Sequence, residues 1–342
     1  MNPTTISVDV AKSVFEVAVS EQPGRVGGTH RLTRARFGAF FASRSPSTVV
    51  MEACGSAHHW GRELEAQGHR VVLLPPHAVR PYVLRNKTDQ ADAKGILEAF
   101  RNDAIHHVPV KSVAQQTLAA LHRLRSRWLA TRTARINTVR GVLREFGIVI
   151  PLGSSRVLPA VGAALEDAES GLPDALRPTL AVARDEIRQL QDRIRGVEQQ
   201  LEALARETPV VANLRTIPGV GLLTATALVA VVGDIQRFPS GRHFASFLGL
   251  TPREHSSGLI RRLGAISKRG DAYVRMLLIH GARTVLWHAK KSETHDRLRM
   301  WALERERERG HNKAAVALAN KLARIAWAGW RRGDEYRDAT IA

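Results

Sequence analysis

Two aspartates three residues apart, Asp89 and Asp92, stand in the stretch Asn86-Lys87-Thr88-Asp89-Gln90-Ala91-Asp92-Ala93-Lys94. Ala91, Ile96, Leu97, Ala99 and Phe100 continue it at helical spacing. At i, i+3 the carboxylates share one helix face. Both fall in the first turn, where the helix dipole favours anions. Paired carboxylates repel unless a cation lies between them, and a hard cation such as Mg²⁺ takes oxygen ligands while keeping room for water and phosphate. A solvated first turn capped by Thr88 remains the plainer alternative. Two more acids, Asp9 and Glu52, close apolar strand-like runs, where a carboxylate is costly unless it is paired or ligates a metal. A second kind of chemistry is written in Gly249-Leu250-Thr251-Pro252-Arg253-Glu254-His255-Ser256-Ser257-Gly258, followed by Arg261, Arg262, Lys268 and Arg269. A serine among cations and glycines suits attack on a phosphate, because cations stabilise the extra negative charge and glycine gives close access. A polar loop that binds phosphate without chemistry fits the same composition.

The elements that must position these residues follow from periodicity. Residues 4–9, 14–19 and 29–33 read as strands, 34–42 as a helix, 48–52 as a buried strand, 57–67 as a helix and 70–74 as a strand. Helices follow at about 77–84 and 89–101. The order β-β-β-α-β-α-β-α predicts a mixed sheet with helices packed on it. Acids at strand ends and on a packing helix can then meet on one rim, where open α/β sheets place their sites. Residues 112–147 read as basic helix: Arg123, Arg127 and Arg135, with His122, Arg125, Arg132, Arg140 and Arg144, interleave with leucines. Such a rail suits nucleic-acid phosphates, and an ordinary charged face would look alike. Residues 148–176, rich in Pro, Gly and Ser, read as a linker or irregular crossing. Leu180, Ala183, Ile187, Leu190, Ile194, Val197, Leu201 and Leu204 then step by three and four in heptad fashion. That seam can serve a dimer, or dock on the 112–147 helices. Ile217-Pro218-Gly219-Val220-Gly221 before the helix 222–232 resembles the hairpin of a helix-hairpin-helix element, with Gly219 and Gly221 opening backbone N–H groups to a phosphate. Helices are predicted over 241–248 and in three segments of the tail.

The totals fit this picture. There are 342 residues, 44% hydrophobic, enough for two or three domains. Lys and Arg number 51 against 32 acids, a net charge of +19 that calls for a polyanionic partner. The single cysteine forbids an internal disulfide and suits a reducing cytosol. No apolar run is long enough for a membrane span, and no signal-peptide pattern opens the chain. A cytoplasmic protein is expected.

Asp9-Val-Ala-Lys, Met51-Glu52-Ala-Cys-Gly and Asn86-Lys-Thr-Asp-Gln-Ala-Asp-Ala together resemble the DEDD transposase family of bacterial insertion sequences. The segment Gly-Leu-x-Pro-x-x-x-x-Ser-Gly with a later Ser-Lys-x-Gly resembles the C-terminal domain of the same family. The resemblance covers 4–103 and about 214–285. It implies an RNase H-like (RuvC-like) α/β domain over 1–110 and a mainly α transposase domain over 209–342; the basic helices and coiled coil between them, over 111–208, are matched only in character. It implies that Asp9, Glu52, Asp89 and Asp92 bind Mg²⁺ or Mn²⁺. It maps the reactive serine onto Ser257, with Ser256 beside it; His255, two residues away, would share a face with Ser257 in an extended segment and is a candidate base by that position alone. The activity implied is transposition through a phosphoserine intermediate, by an oligomer (dimer or tetramer) whose acids and serine act as one composite site. Its partners would be double-stranded DNA at element ends and target, and a structured noncoding guide RNA. Arg253, Arg261, Arg262, Lys268 and Arg269 would hold phosphates. A metal-only nuclease of the junction-resolvase type, or a nucleic-acid-binding scaffold without chemistry, are the competing expectations.

Overall fold

The computed structural model describes residues 4–22, 25–83, 88–291 and 296–337. The chain forms two compact units, Met1–Ala114 and Gln115–Ala342.

The first unit is built from β1 (Thr5–Val10), β2 (Val14–Ser20), β3 (Gly28–Thr33), α1 (Arg34–Ala42), β4 (Thr48–Glu52), α2 (Ala57–Ala66), β5 (Arg70–Leu74), the short α3 (Pro76–Val79) and α4 (Asp89–Phe100). The strands pair in the order β3-β2-β1-β4-β5. β1, β2 and β3 are antiparallel, whereas β1, β4 and β5 are parallel. Side chains alternate across a strand, and both sheet faces are covered. Ile6, Val8, Phe15, Val17, Val49 and Met51 bury against Phe37 and Phe41 of α1 and Trp60 and Leu64 of α2. The opposite face holds Ala18, Val50, Val72 and Leu74, against Ala93, Ile96, Leu97 and Ala99 of α4. Ser7 lies on that second face and donates to the Ala93 carbonyl at 2.6 Å.

The second unit begins on α5 (Val113–Glu145), continues through α6 (Val157–Glu166) and α7 (Arg177–Arg206), and carries α8 (Pro209–Arg215), α9 (Leu222–Val232), α10 (Gly241–Phe247), the hairpin β6 (Pro252–Glu254) and β7 (Leu263–Ile266), α11 (Ala272–Ala289), α12 (Arg297–Arg309) and α13 (His311–Arg332). Ion pairs Arg125–Glu198 and Arg135–Glu186 join α5 to α7 with numbers running in opposite senses, so the two helices are antiparallel. Most heptad residues of α7 are buried inside the chain, with Ala183 and Leu204 half-buried. Leu180 and Ile187 pack with Ile136, Val139 and Leu143 of α5 and Val157 and Val161 of α6. Val197 and Leu201 pack with Leu118 in the core of the following helices. α9 is apolar all round and is buried accordingly.

Three sequence expectations change here. The expected linker at 148–176 contains α6: Pro159 and Gly162 lower its helix propensity, but burial of Val157, Val161 and Ala164 overrides them. The segment 249–270, for which a polar loop is one of the two readings, folds as a β-hairpin. His122 leaves the expected basic rail: it is buried, with Nε2 2.9 Å from Thr226 Oγ1 and Nδ1 3.2 Å from the Tyr273 hydroxyl. Among the described residues, no helix is long and apolar enough to cross a membrane.

Candidate functional site

Asp9 is the penultimate residue of β1. The parallel register that sets Val8 beside Met51 puts Asp9 level with Glu52, the last residue of β4. Residues at one level on neighbouring strands share a sheet face. By alternation that face is the one holding Ser7 and Val50, which α4 covers. Both carboxylates are half-buried. The Cys54 thiol lies 3.7 Å from the Val10 carbonyl. Burial pushes this thiol up, and the negative charges of Glu52 and Asp9 push it further, so both acids act on one point.

α4 brings its first turn to the same level. Ala93 lies over Ser7, while Leu97 and Phe100 border Thr5 at the start of β1. The helix therefore runs against β1, and its N-terminus reaches the Asp9 end. Independent contacts agree. Asp9 pairs in register with Glu16 of β2, and Glu16 shares a pocket with Thr29, His30, Arg31, Thr88 and Gln90. Thr88 caps α4 by accepting from the Ala91 N–H at 3.2 Å. Asp92 is half-buried and shares its stripe with Ile96 and Ala99, the residues that rest on the sheet. Asn86, Lys87 and the side chain of Asp89 lie outside the described residues. Among the described residues, no three of His, Cys, Asp and Glu are grouped so as to hold a metal ion. Glu16 is an acid that the motif strings do not include. It occupies an alternate position in β2, opposite Asp9, and pairs with Arg31 at 3.4 Å.

Ser257 occupies the tip of the β6–β7 hairpin. Its N–H donates to the Ile260 carbonyl and the Ile260 N–H donates back, each at 3.2 Å. Gly258 and Leu259 form the two-residue turn. Gly258 has φ +57°, and Leu259 is not left-handed. That combination suits a type II′ turn, which places glycine first, so the Ser-Gly dipeptide has a local structural reason. The His255 N–H donates to the Arg262 carbonyl at 2.9 Å. In this register His255, Ser257, Ile260 and Arg262 share one hairpin face, and Glu254, Ser256 and Arg261 share the other. The Ser256 hydroxyl is engaged: it donates to Glu254 at 2.8 Å and accepts from the Arg262 N–H at 3.1 Å. Ser256 and Arg261 together hold the Glu254 carboxyl below its ordinary range. Ser257 is exposed, and its hydroxyl makes no hydrogen bond among the described residues.

The hairpin is anchored at its base by two close backbone approaches. Gly249 has φ +70°, and a Cβ there would lie 2.0 Å from the Arg269 carbonyl oxygen. Gly270 has φ +77°, and a Cβ there would lie 2.0 Å from the Phe247 carbonyl oxygen. Arg275 then ties the two sides by donating to the Leu248 and Arg269 carbonyls.

The cations expected on phosphates divide into two groups. Arg123 and Arg127 are exposed and make no ion pair among the described residues. Arg135 is engaged with Glu186 at 2.9 Å, and Arg261 with Glu254 at 3.1 Å. Arg253 donates to the Ser267 carbonyl at 3.3 Å, and Arg262, Lys268 and Arg269 are exposed on the hairpin. Gly219 packs on Gly281 of α11, where a Cβ would lie 2.7 Å from the Gly281 carbonyl oxygen. Helix packing thus accounts for glycine at 219. Gly221 is the exposed N-cap of α9.

Residues 6–148 match a DEDD transposase family of the IS110 type, described as "Transposase", and residues 211–298 match the "Transposase IS116/IS110/IS902 family". A "Probable family 20 transposase" of Pseudomonas aeruginosa is 42% identical over 98% of this chain and 99% of its own length. The "Transposase for insertion sequence element IS1111A" of Coxiella burnetii is 40% identical over 97% of this chain and 91% of its own. The "Transposase for insertion sequence element IS1328" of Yersinia enterocolitica is 35% identical over 95% and 96%. With family matches to both units and such likeness along the whole chain, the protein belongs to the IS110 family of insertion-sequence transposases.

Proposed function

We propose that this transposase cuts and rejoins DNA through a covalent phosphoserine at Ser257, assisted by a divalent metal held by an RNase H-like domain. The observation that carries the reading is the hairpin tip: Ser257 presents an unengaged hydroxyl among arginines, while the neighbouring Ser256 hydroxyl is already committed. The Ser257 oxygen attacks a DNA phosphate and loses its proton, for which His255, on the same hairpin face, is the nearest base in sequence. The bond from phosphorus to the 3′ oxygen breaks, and that oxygen leaves as a 3′ hydroxyl once protonated. The retained phosphoester bond lets a 3′ hydroxyl of another strand displace Ser257 without an external energy source. Arg262, on the Ser257 face of the hairpin, neutralises the phosphate during both displacements, while Arg253, Lys268 and Arg269, towards the hairpin base, hold phosphates further along the duplex.

Asp9, Glu52, Asp89 and Asp92 fit a hard cation, Mg²⁺ or Mn²⁺. All donors are carboxylate oxygens, Asp9 and Glu52 act together on the Cys54 thiol, and the α4 N-terminus comes to their level. The metal would polarise the scissile phosphate and offset charge on the departing oxygen. The five-strand order with its antiparallel first half supports the RNase H-like assignment. Double-stranded DNA at element ends and target is the substrate. Guidance by a structured noncoding RNA and action as a dimer or tetramer complete the reading, supported by the net charge of +19 and by the sequence resemblance.

The test is incubation of the full chain with its own element ends and RNA transcribed from the element's flanks, followed by denaturing gels. A protein–DNA adduct is expected, lost in Ser257→Ala, kept in Ser256→Ala, and abolished by Asp9→Asn or chelation. Undiminished cutting by Ser257→Ala would establish attack by water instead.

A further inference from the structure

The tip of the β6–β7 hairpin carries an apolar patch that neither the fold nor the chemistry of Ser257 uses. Leu259 is 106% exposed and Ile260 59%, side by side at the turn. The arm is cationic: Arg261 and Arg262 adjoin the tip, Arg253, Lys268 and Arg269 stand nearer the base, and Glu254 is the single acid between residues 253 and 269. The arm is anchored by the Gly249 and Gly270 backbone approaches, so its tip is presented from a fixed base. Exposed leucine on a cationic arm is disfavoured in water and unsuited to a second copy of itself, whose cations would repel. It complements a polyanion with an apolar interior, which describes stacked bases between phosphates.

We propose that the hairpin tip is a wedge for duplex DNA, with Leu259 entering between two base pairs, Ile260 supporting it, and the flanking arginines holding the adjoining phosphates. Dimensions agree. Paired strands lie about 5 Å apart, narrow enough for a groove of the duplex. Leu259 stands one position beyond the Ser257–Ile260 rung, so it leads the arm into the groove. Unstacking at the step it enters loosens the strand end that must be exchanged. The inference rests on the reading that this hairpin meets DNA, and is separable from the role of Ser257 as nucleophile.

The probe is a set of element-end duplexes with 2-aminopurine placed in turn at each position across the junction of element and flank. Each is mixed with the full chain in the Ser257→Ala background, so that cutting does not contribute, with and without RNA transcribed from the element's flanks. A severalfold rise in 2-aminopurine fluorescence is expected at one or two adjacent positions. Leu259→Ala should return it to the free-duplex level while gel-shift retention of the DNA persists, and Leu259→Phe should preserve it. Fluorescence that rises nowhere, or that is indifferent to Leu259→Ala, overturns the wedge. So does a change of assembly size in Leu259→Ala by light scattering, which would assign the patch to a contact between protein copies. A wild-type chain that forms no adduct while 2-aminopurine still brightens would remove Ser257 as nucleophile and leave the wedge standing.

Discussion

His122 shows how one residue changes meaning once its neighbours are known. The Thr226 hydroxyl donates to the Leu222 carbonyl at 2.7 Å, so it accepts from His122 Nε2–H, and Nδ1 is left to accept from Tyr273. The ring is therefore a neutral strut joining α5, α9 and α11. Burial, and then the nearby Arg125 charge, lower its pKa to about 4. An unfolded chain binds this proton near the ordinary value of about 6.5, so between about 6.5 and 4 the unfolded state holds more protons than the folded one. Stability should accordingly be full above pH 6.5 and decline as pH falls towards 4, by up to about 3 kcal/mol from this group. His122→Ala should cost about 1–3 kcal/mol at pH 7, because Tyr273 and Thr226 lose a buried partner. It should also flatten the pH dependence of urea unfolding. An unchanged slope would mean that the ring is protonated in place.

At the level of elements, α7 decides what its heptad is for. Its seam is turned inward on α5 and α6, with Ile187 fully buried, so the α7 stripe closes a core within one chain. Replacing Ile187 with Ala should lower unfolding free energy by about 2–5 kcal/mol, equally at low and high protein concentration. A loss that disappears on concentrating the protein would assign the seam to an intermolecular contact. The hairpin works by the opposite logic. It has almost no buried residue of its own, and its position depends on backbone approaches at its base that only glycine permits.

For the whole molecule, the excess of cations matters only where they remain uncommitted. Arg125 and Arg135 spend their charge holding α5 to α7, while Arg123 and Arg127 remain without an ion pair among the described residues. Binding to nucleic acid should fall steeply with salt. Arg123→Ala combined with Arg127→Ala should reduce the slope of log affinity against log salt by about 2, close to one unit for each phosphate no longer neutralised. Arg135→Ala should leave the slope nearly unchanged. Equal effects from Arg135 would show that its pair with Glu186 opens on binding.

The alternation of Ile6, Val8 and Val10, the helical spacing of Ile96, Leu97 and Ala99, and the acids ending two strands made the first unit legible residue by residue, because period and burial are coupled in strands and amphipathic helices. The motif strings also identified the transposase family. Tertiary structure alone decided which buried partner each periodic face would meet: α7 against α5 and α6, His122 against Tyr273, Gly219 against Gly281. It also decided that a string of small polar residues and arginines is a hairpin with Ser257 at its tip, since that arm is held by close approaches of Gly249 and Gly270 to residues some twenty positions away. Local pattern records the face a residue turns inward; the partner on that face is set by chain closure over long sequence distances.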